Sequence, residues 1–288
     1  MLDRQAIRRG PSPVDTEQRH RRGIDSFGLE YVTMKINLVG SAVDSAFPGQ
    51  QFAASYVING CVAIDAGSIG FQSSVDTQRK IRDVFLSHGH MDHIASLPMF
   101  LDNVYQPGPD FIRIHALPET LDSLRKDLFN DRIWPDLVRI SQEESPFIKL
   151  CPIQIGDTVA AGDLRVTAIA LDHVVPTIGF IASDGSGSVA FVSDTAPLDA
   201  IWHILNGIPD LKALFLEAAF PTRMAWLALK AKHLTPTLFV QGCQKLQHRI
   251  PIIAVHIKPA FYDEILSEFA TLKIPGLQIG SPDVRYEF

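Results

Sequence analysis

Four side chains able to hold a metal ion fall within six residues of this chain. They are His88, His90, Asp92 and His93, in the run His88-Gly89-His90-Met91-Asp92-His93. Imidazole nitrogen and carboxylate oxygen together suit zinc, iron or manganese. The run follows Asp83-Val84-Phe85-Leu86-Ser87, which reads as a buried strand with the ligands at its end. Three of the ten histidines lie here beside an acid. Protonated, they would repel one another, and buried without partners they would be costly. Gly89 is expected to let the backbone turn tightly and to leave room for an ion. His90 and His93 are three apart, which puts both on one side of a starting helical turn. Three more candidates end apolar runs: His173 after Ala170-Leu171-Asp172, Asp194 after Phe191-Val192-Ser193, and His256 after Ile252-Ile253-Ala254-Val255. A strand fixes the backbone of a ligand and the following loop leaves the ion accessible.

The His88–His93 pattern resembles the HxHxDH signature of the metallo-β-lactamase superfamily. That resemblance implies an α/β (α+β) fold, a four-layer αββα sandwich in a single domain, with a metal centre at the sheet edges. It implies two divalent metal ions, zinc first, with manganese or iron as alternatives. His88, His90 and His173 would hold one ion, Asp92, His93 and His256 the other, and Asp194 would bridge them. Asp65, in Ile64-Asp65-Ala66-Gly67, resembles a family position that supports a ligand histidine; by itself it reads equally as a turn acid. A water between two such ions is presented as hydroxide at neutral pH, and paired cations suit the in-line hydrolysis of a phosphodiester.

The departing alkoxide needs a proton. His233, in Lys232-His233-Leu234-Thr235-Pro236, is the candidate donor, and Glu217, after the apolar run Leu214-Phe215-Leu216, is the candidate carboxylate behind it. From spacing alone each is as readily a surface histidine and a strand-end acid. The segments Asp172–Phe180, Ser193–Pro197, Glu217–Pro221, His233–Pro236 and His256–Pro259 resemble those of class II 3′,5′-cyclic-nucleotide phosphodiesterases and their bacterial relatives, in order, over roughly residues 35–260. The resemblance implies hydrolysis of cyclic AMP or cyclic GMP to the 5′-nucleotide, with Asp92, Glu217 and His233 as catalytic residues. The Glu217 and His233 pattern is shared with tRNA 3′-processing endonucleases, so that activity is the alternative, with ester or lactone hydrolysis behind it. A degenerate scaffold is the non-enzymatic reading, and the seven filled ligand positions oppose it. The short turn at residues 183–188 stands where some class II enzymes carry longer insertions, which weakens any substrate preference carried over.

The elements that must position these residues follow from the apolar pattern. Strands are expected at 33–39, 53–58, 61–65, 82–87, 111–115, 164–171, 178–182, 188–193, 211–216 and 250–256, several of them near-continuous apolar runs covered on both faces. Helices are expected at 91–104, 118–129, 197–206, 222–231, 235–247 and 260–271, with Thr235-Pro236 as a helix start. The pattern suggests two sheets face to face with helices outside. Among aromatics between the ligand segments, Trp134 is the best candidate to stack a base, the others reading as core.

Composition bounds the partners. The 288 residues are 46% hydrophobic and 20% charged, with a net charge of −6. That balance opposes a broad basic face for nucleic acid and leaves a small anionic phosphodiester such as a cyclic nucleotide as the expected partner. No run approaches the roughly 20 apolar residues of a membrane span, so no membrane partner is expected. A homodimer is a habit of the family. Cys61, Cys151 and Cys243 lie far apart in apolar runs and read as buried free thiols, which with the lack of an apolar signal region suggests a cytoplasmic protein. Residues 1–23 hold six arginines against three acids and little apolar periodicity. Residues 1–30 therefore read as a mobile basic arm, and 31–288 as the hydrolase domain.

Overall fold

Nearly continuous apolar strands need two cores, one on each face, and the computed structural model supplies them. It describes residues 33–40, 52–71, 74–108, 111–282 and 284–288. The arm expected at residues 1–30 lies outside them. The first sheet is built from β1 (Lys35–Leu38), β2 (Tyr56–Ile58), β3 (Val62–Ile64), β4 (Asp83–Phe85), β5 (Ile112–Ala116) and β6 (Ile148–Pro152). The second is built from β7 (Thr158–Ala161), β8 (Leu164–Leu171), β9 (Thr177–Ser183), β10 (Ser188–Val192), β11 (Leu211–Glu217), β12 (Ile252–Val255) and β13 (Leu277–Ile279). A last strand, β14 (Arg285–Glu287), returns to the first sheet beside β1. Among the described residues the sheet orders are β14-β1-β2-β3-β4-β5-β6 and β13-β12-β11-β10-β9-β8-β7.

Alternation sorts each strand between layers. Val189, Phe191, Ala213, Phe215, Ile253 and Val255 point into the core between the sheets, where they meet Ile36, Leu38, Ile64 and Phe85 of the first sheet. Their neighbours Ala190, Val192, Leu214, Leu216, Ile252 and Ala254 point outward. There they pack under α1 (Asp199–Asn206), α2 (Pro236–Cys243) and α3 (Tyr262–Leu272), through Ile201, Trp202, Leu205, Phe239, Ile265 and Phe269. On the other side Ala63, Val84 and Leu86 face Leu97, Phe100 and Leu101 of a helix at Leu97–Asn103, and Leu121 of another at Pro118–Ser123. Helix, sheet, sheet, helix is the four-layer αββα sandwich.

All ten expected strands form. β6, β7, β13 and β14 escape the apolar reading because they are short or half-exposed and, β6 apart, carry three or four residues with polar neighbours. The single helix expected at 91–104 is two pieces, Met91–Ile94 and Leu97–Asn103. Pro98 cannot continue the first piece, since it lacks a donor and crowds the carbonyl four residues back. Ser96 fills the break: its hydroxyl donates to the Ala66 carbonyl at 2.8 Å and accepts from the Gly70 amide at 2.9 Å. The helix expected at 118–129 runs from Pro118–Ser123 into a π turn over Leu124–Leu128, closed by the Phe129 amide on the Leu124 carbonyl. Cys243 is buried as expected, but Cys61 and Cys151 are half-buried, each at the margin of a sheet; all three are free. Trp134 packs half-buried against the core of the first helical layer.

Chain direction brings the site together. β3, β4 and β5 are parallel, as are β10, β11 and β12, and β8 runs the same way as β10 because β9 is antiparallel to both. The C-terminal ends of β3, β4, β8, β10, β11 and β12 carry Asp65, His88, His173, Asp194, Glu217 and His256.

Candidate metal centre

The loop after β4 is held from below before it presents its ligands. The Asp92 carbonyl accepts the Ala54 amide at 2.8 Å and the His93 carbonyl accepts the Ala66 amide at 2.7 Å. A Cβ at Gly67 would come within 2.1 Å of the Asp92 carbonyl oxygen, so only glycine permits this approach. Gly89 behaves otherwise than expected. A Cβ there would meet nothing closer than the Ser123 side chain at 3.9 Å, and its φ lies outside the left-handed region, so neither the turn nor the space requires glycine. Asp65 (φ 58°) and His256 (φ 55°) do adopt the left-handed conformation, which non-glycine residues take at a cost on the order of 1 kcal/mol or more.

Two donor sets converge. His88 Nε2 lies 2.9 Å from His90 Nδ1, and His173 Nε2 lies 3.3 Å from the same atom. Asp194 Oδ2 faces this set, 3.6 Å from His88 Nε2 and 3.7 Å from His173 Nε2. The other oxygen, Oδ1, lies 3.5 Å from His93 Nε2 and 3.4 Å from His256 Nε2. Asp92 Oδ2 completes the second set at 3.1 Å from His256 Nε2. One buried carboxylate therefore presents one oxygen to each group. His88, His90, His173 and Asp194 form one cluster able to hold an ion, and Asp92, His93 and His256 another.

The outer hydrogen bonds assign the ring protons. His93 Nδ1 donates to Asp65 Oδ2 at 2.7 Å, and His173 Nδ1 donates to the Lys232 carbonyl at 3.0 Å. Ser87 links two histidines: its hydroxyl donates to Asp65 Oδ2 at 2.9 Å and accepts from His88 Nδ1 at 3.0 Å. Around a cation the rings are neutral, and each outer bond then takes the ring proton and leaves the Nε2 lone pair facing inward. By itself burial would lower the His93 imidazole, but the Asp194 and Asp65 charges outweigh it and raise the ring well above its usual pKa. Facing lone pairs repel unless an electrophile lies among them, so this donor set fits divalent cations. Burial holds His88 well below its usual pKa, reinforced by His93, which keeps it neutral as a ligand must be. Burial would raise the Asp194 carboxyl, but His256 and His93 hold it well below the usual range. Burial likewise opposes ionisation of Asp92, and the His256 hydrogen bond with the His93 charge outweighs it.

A second arrangement abuts the first. Glu217 is fully buried and its carboxylate is saturated with donors. Oε1 accepts the Thr195 amide at 2.9 Å and His233 Nδ1 at 2.9 Å; Oε2 accepts the Ala219 and Leu234 amides, each at 3.2 Å. His233 Nε2 thus points to the centre, 4.0 Å from Asp194 Oδ2. Burial lowers the His233 pKa, but the Glu217 charge and hydrogen bond outweigh it and leave the imidazole above its ordinary value. Thr235 caps α2 by accepting the Leu238 amide, which sets the chain direction just beyond His233.

The structure brings all nine candidate residues to one place, and Asp65 with them. Two contributors escaped the sequence reading. Ser87 directly precedes the histidine run, and its hydroxyl after an apolar strand was the available signal. Lys232 supplies a carbonyl to His173 and its ammonium to Asp172 at 2.6 Å from a left-handed backbone (φ 56°), and nothing in its type announces that.

Residues 64–257 match the family described as beta-lactamase superfamily domain, more than half of the chain, and the protein belongs to that family. Its fold and site define a metallo-β-lactamase-fold hydrolase. It is 26% identical over 235 residues to a probable 3′,5′-cyclic-nucleotide phosphodiesterase of Yersinia pestis, covering 73% of this chain and 66% of that protein. The chain spans about two thirds or less of the length of the curated relatives it matches. Among solved structures, unliganded yeast PDE1 superposes with a TM-score of 0.71 at 18% identity, over 90% of this chain and 100% of that one. The short form of human tRNase Z gives 0.61 at 16% identity, over 88% and 98%. At such identities the likeness establishes the fold.

Proposed function

We propose that this protein is a metal-dependent phosphodiesterase that hydrolyses 3′,5′-cyclic nucleotides to 5′-nucleotides. The observation that carries the reading is the buried Asp194 carboxylate shared between two imidazole sets, with the His233–Glu217 pair beside it. His88, His90, His173 and Asp194 would hold one ion, and Asp92, His93, His256 and Asp194 the second. Divalent ions bound there would polarise a phosphoryl oxygen and make water a stronger nucleophile at neutral pH.

The chain's own groups do the rest. Glu217 fixes His233 with Nδ1 outward and Nε2 toward the centre, where protonated Nε2 can give its proton to the departing ribose oxygen. Lys258 adds a cation beside the same histidine: its ammonium lies 5.5 Å above the Phe220 ring, and that ring is 5.6 Å from His233. Among the described residues Lys258 has no acidic partner, so its charge is available to a phosphate oxygen. The net charge of −6 favours a small anion drawn to a local cationic centre over a long polyanion that needs many surface cations. Relatives named cyclic-nucleotide phosphodiesterases support the same substrate class.

The test is a substrate panel on metal-loaded protein: cyclic AMP, cyclic GMP, bis(p-nitrophenyl) phosphate and a precursor tRNA. Conversion of a cyclic nucleotide to its 5′-monophosphate is expected. Turnover of the linear diester or the precursor tRNA, with none of either cyclic nucleotide, would reject the substrate and leave the tRNA-processing or general diesterase reading.

A further inference from the structure

A cavity of about 730 Å³ lies away from the metal centre, at the other end of β12. It is bordered by the last turn of α2, the segment 248–252 that leads into β12, and the turn from α3 into β13. Its wall is largely aliphatic: Val240, Ile250, Ile252, Leu272 and Ile274 contribute, and among the described residues no Phe, Tyr or Trp side chain does. Cys243 belongs to the same wall. Burial pushes its thiol up to about 12, so it stays neutral and counts as apolar surface.

The charged members are both cations, beside the neutral amides of Gln244 and Gln278. Arg249 and Lys273 line the cavity, and no acid does. Among the described residues neither has a carboxylate partner, although most other arginines here are paired, as in Arg113–Asp83, Arg139–Asp131 and Arg223–Glu264. His248 also lines it, and its Nε2 is buried without a hydrogen-bond partner. A buried ring nitrogen left unpaired is costly, and as an N–H donor it would recover that cost on a bound acceptor. The end of α2 does not counter this charge with free carbonyls. Those of Val240, Gly242 and Cys243 accept the amides of Gln244, Lys245 and Leu246. A half-open, largely aliphatic cavity rimmed by two exposed cations without acidic partners and by an unsatisfied imidazole is complementary to an aliphatic body with an anionic head.

We propose that this cavity is a binding site for a medium-chain fatty-acid anion, with its carboxylate between Arg249 and Lys273 and its chain against Ile250, Ile252, Leu272 and Ile274. The absence of an aromatic surface disfavours a nucleotide base here. The site shares no residue with the metal centre, so it stands or falls apart from the proposed phosphodiesterase activity.

The experiment is calorimetric titration of the full-length, metal-loaded protein with sodium decanoate below its micelle concentration, with 1-decanol and sodium phosphate as parallel probes. Saturable one-to-one binding of decanoate is expected at or below about 1 mM. It should weaken about tenfold or more in the Arg249→Ala/Lys273→Ala double variant, with melting temperature and diesterase turnover unchanged. An Ile274→Lys variant, which places a charge in the aliphatic wall, should weaken decanoate too. Three results would overturn the proposal: decanol binding as well as decanoate, phosphate alone binding as well as decanoate, or no saturable decanoate binding at all. Decanoate binding that survives the double variant but is lost on chelation would place the anion at the metal centre and overturn it equally.

Discussion

Replacing Glu217 by Gln keeps the shape of a fully buried side chain and changes only what its two ends can accept. The native carboxylate accepts four donors, two at each oxygen. A glutamine must turn its NH₂ toward one of those pairs. If it faces the Ala219 and Leu234 amides, two buried N–H groups lose their acceptor. If it faces Thr195 and His233, the Thr195 amide is orphaned and His233 must accept through Nδ1, which moves its proton to Nε2. Either way one or two buried donors go unsatisfied, at about 1–3 kcal/mol each, and charge-assisted bonds become neutral ones. A loss of about 2–4 kcal/mol follows, which at this chain length lowers the melting temperature by about 3–7 °C. The fold survives a loss of that size. Activity falls for a separate reason. The imidazolium loses its counter-charge, so turnover of substrates with alkoxide leaving groups should drop about 100-fold, and that of nitrophenyl diesters far less. Circular-dichroism melts and parallel turnover of cyclic AMP and bis(p-nitrophenyl) phosphate measure both effects. An unchanged melt would show that the four-donor network does not exist, and equal losses on the two substrates would remove His233 from leaving-group protonation.

Gly67→Ala should cost several degrees of melting temperature and lower metal content, because a Cβ 2.1 Å from the Asp92 carbonyl must displace the ligand loop; full metal content would contradict the close approach. Lys258→Ala should raise KM for an anionic diester about five- to tenfold with little change in kcat, and Lys258→Arg should recover most of it; an effect confined to kcat would refute electrostatic capture. Asp83 gives a pH prediction away from the centre. Burial would raise its pKa, but hydrogen bonds from His115 and Arg113 at 2.6–2.9 Å outweigh it and lower the value. A lowered folded pKa stabilises above the unfolded value near 3.9 and is lost as pH falls through the folded value. The melting-temperature gap between the native protein and Asp83→Asn should therefore be full at neutral pH and narrow below about pH 4; a gap constant down to pH 3 would refute it.

The candidate metal-binding residues were legible because His88, His173, Asp194 and His256 each follow a strand whose apolar run is visible, and because β3, β4, β8, β10, β11 and β12 point one way. The histidine run carried its own chemistry, and the resemblance then ordered the distant ligands. What stayed hidden depends on contacts distant in sequence. Ser87 acquires meaning only when Asp65, 22 residues away, comes under it. The break between residues 94 and 97 needs Ala66 and Gly70 to receive Ser96. Gly67 and Gly89 look alike in sequence, yet only Gly67 faces another backbone. The edge strands β7, β13 and β14 pair on one side only and bury too little to show a pattern.

Metal content by mass spectrometry of protein purified from metal-replete medium, for the native chain and for His256→Ala, tests the paired-cation centre most directly. Two equivalents of a divalent transition ion are expected in the native protein and about one in the variant, since His256 serves only the second donor set. Less than one equivalent in the native protein, or two retained in His256→Ala, would contradict it.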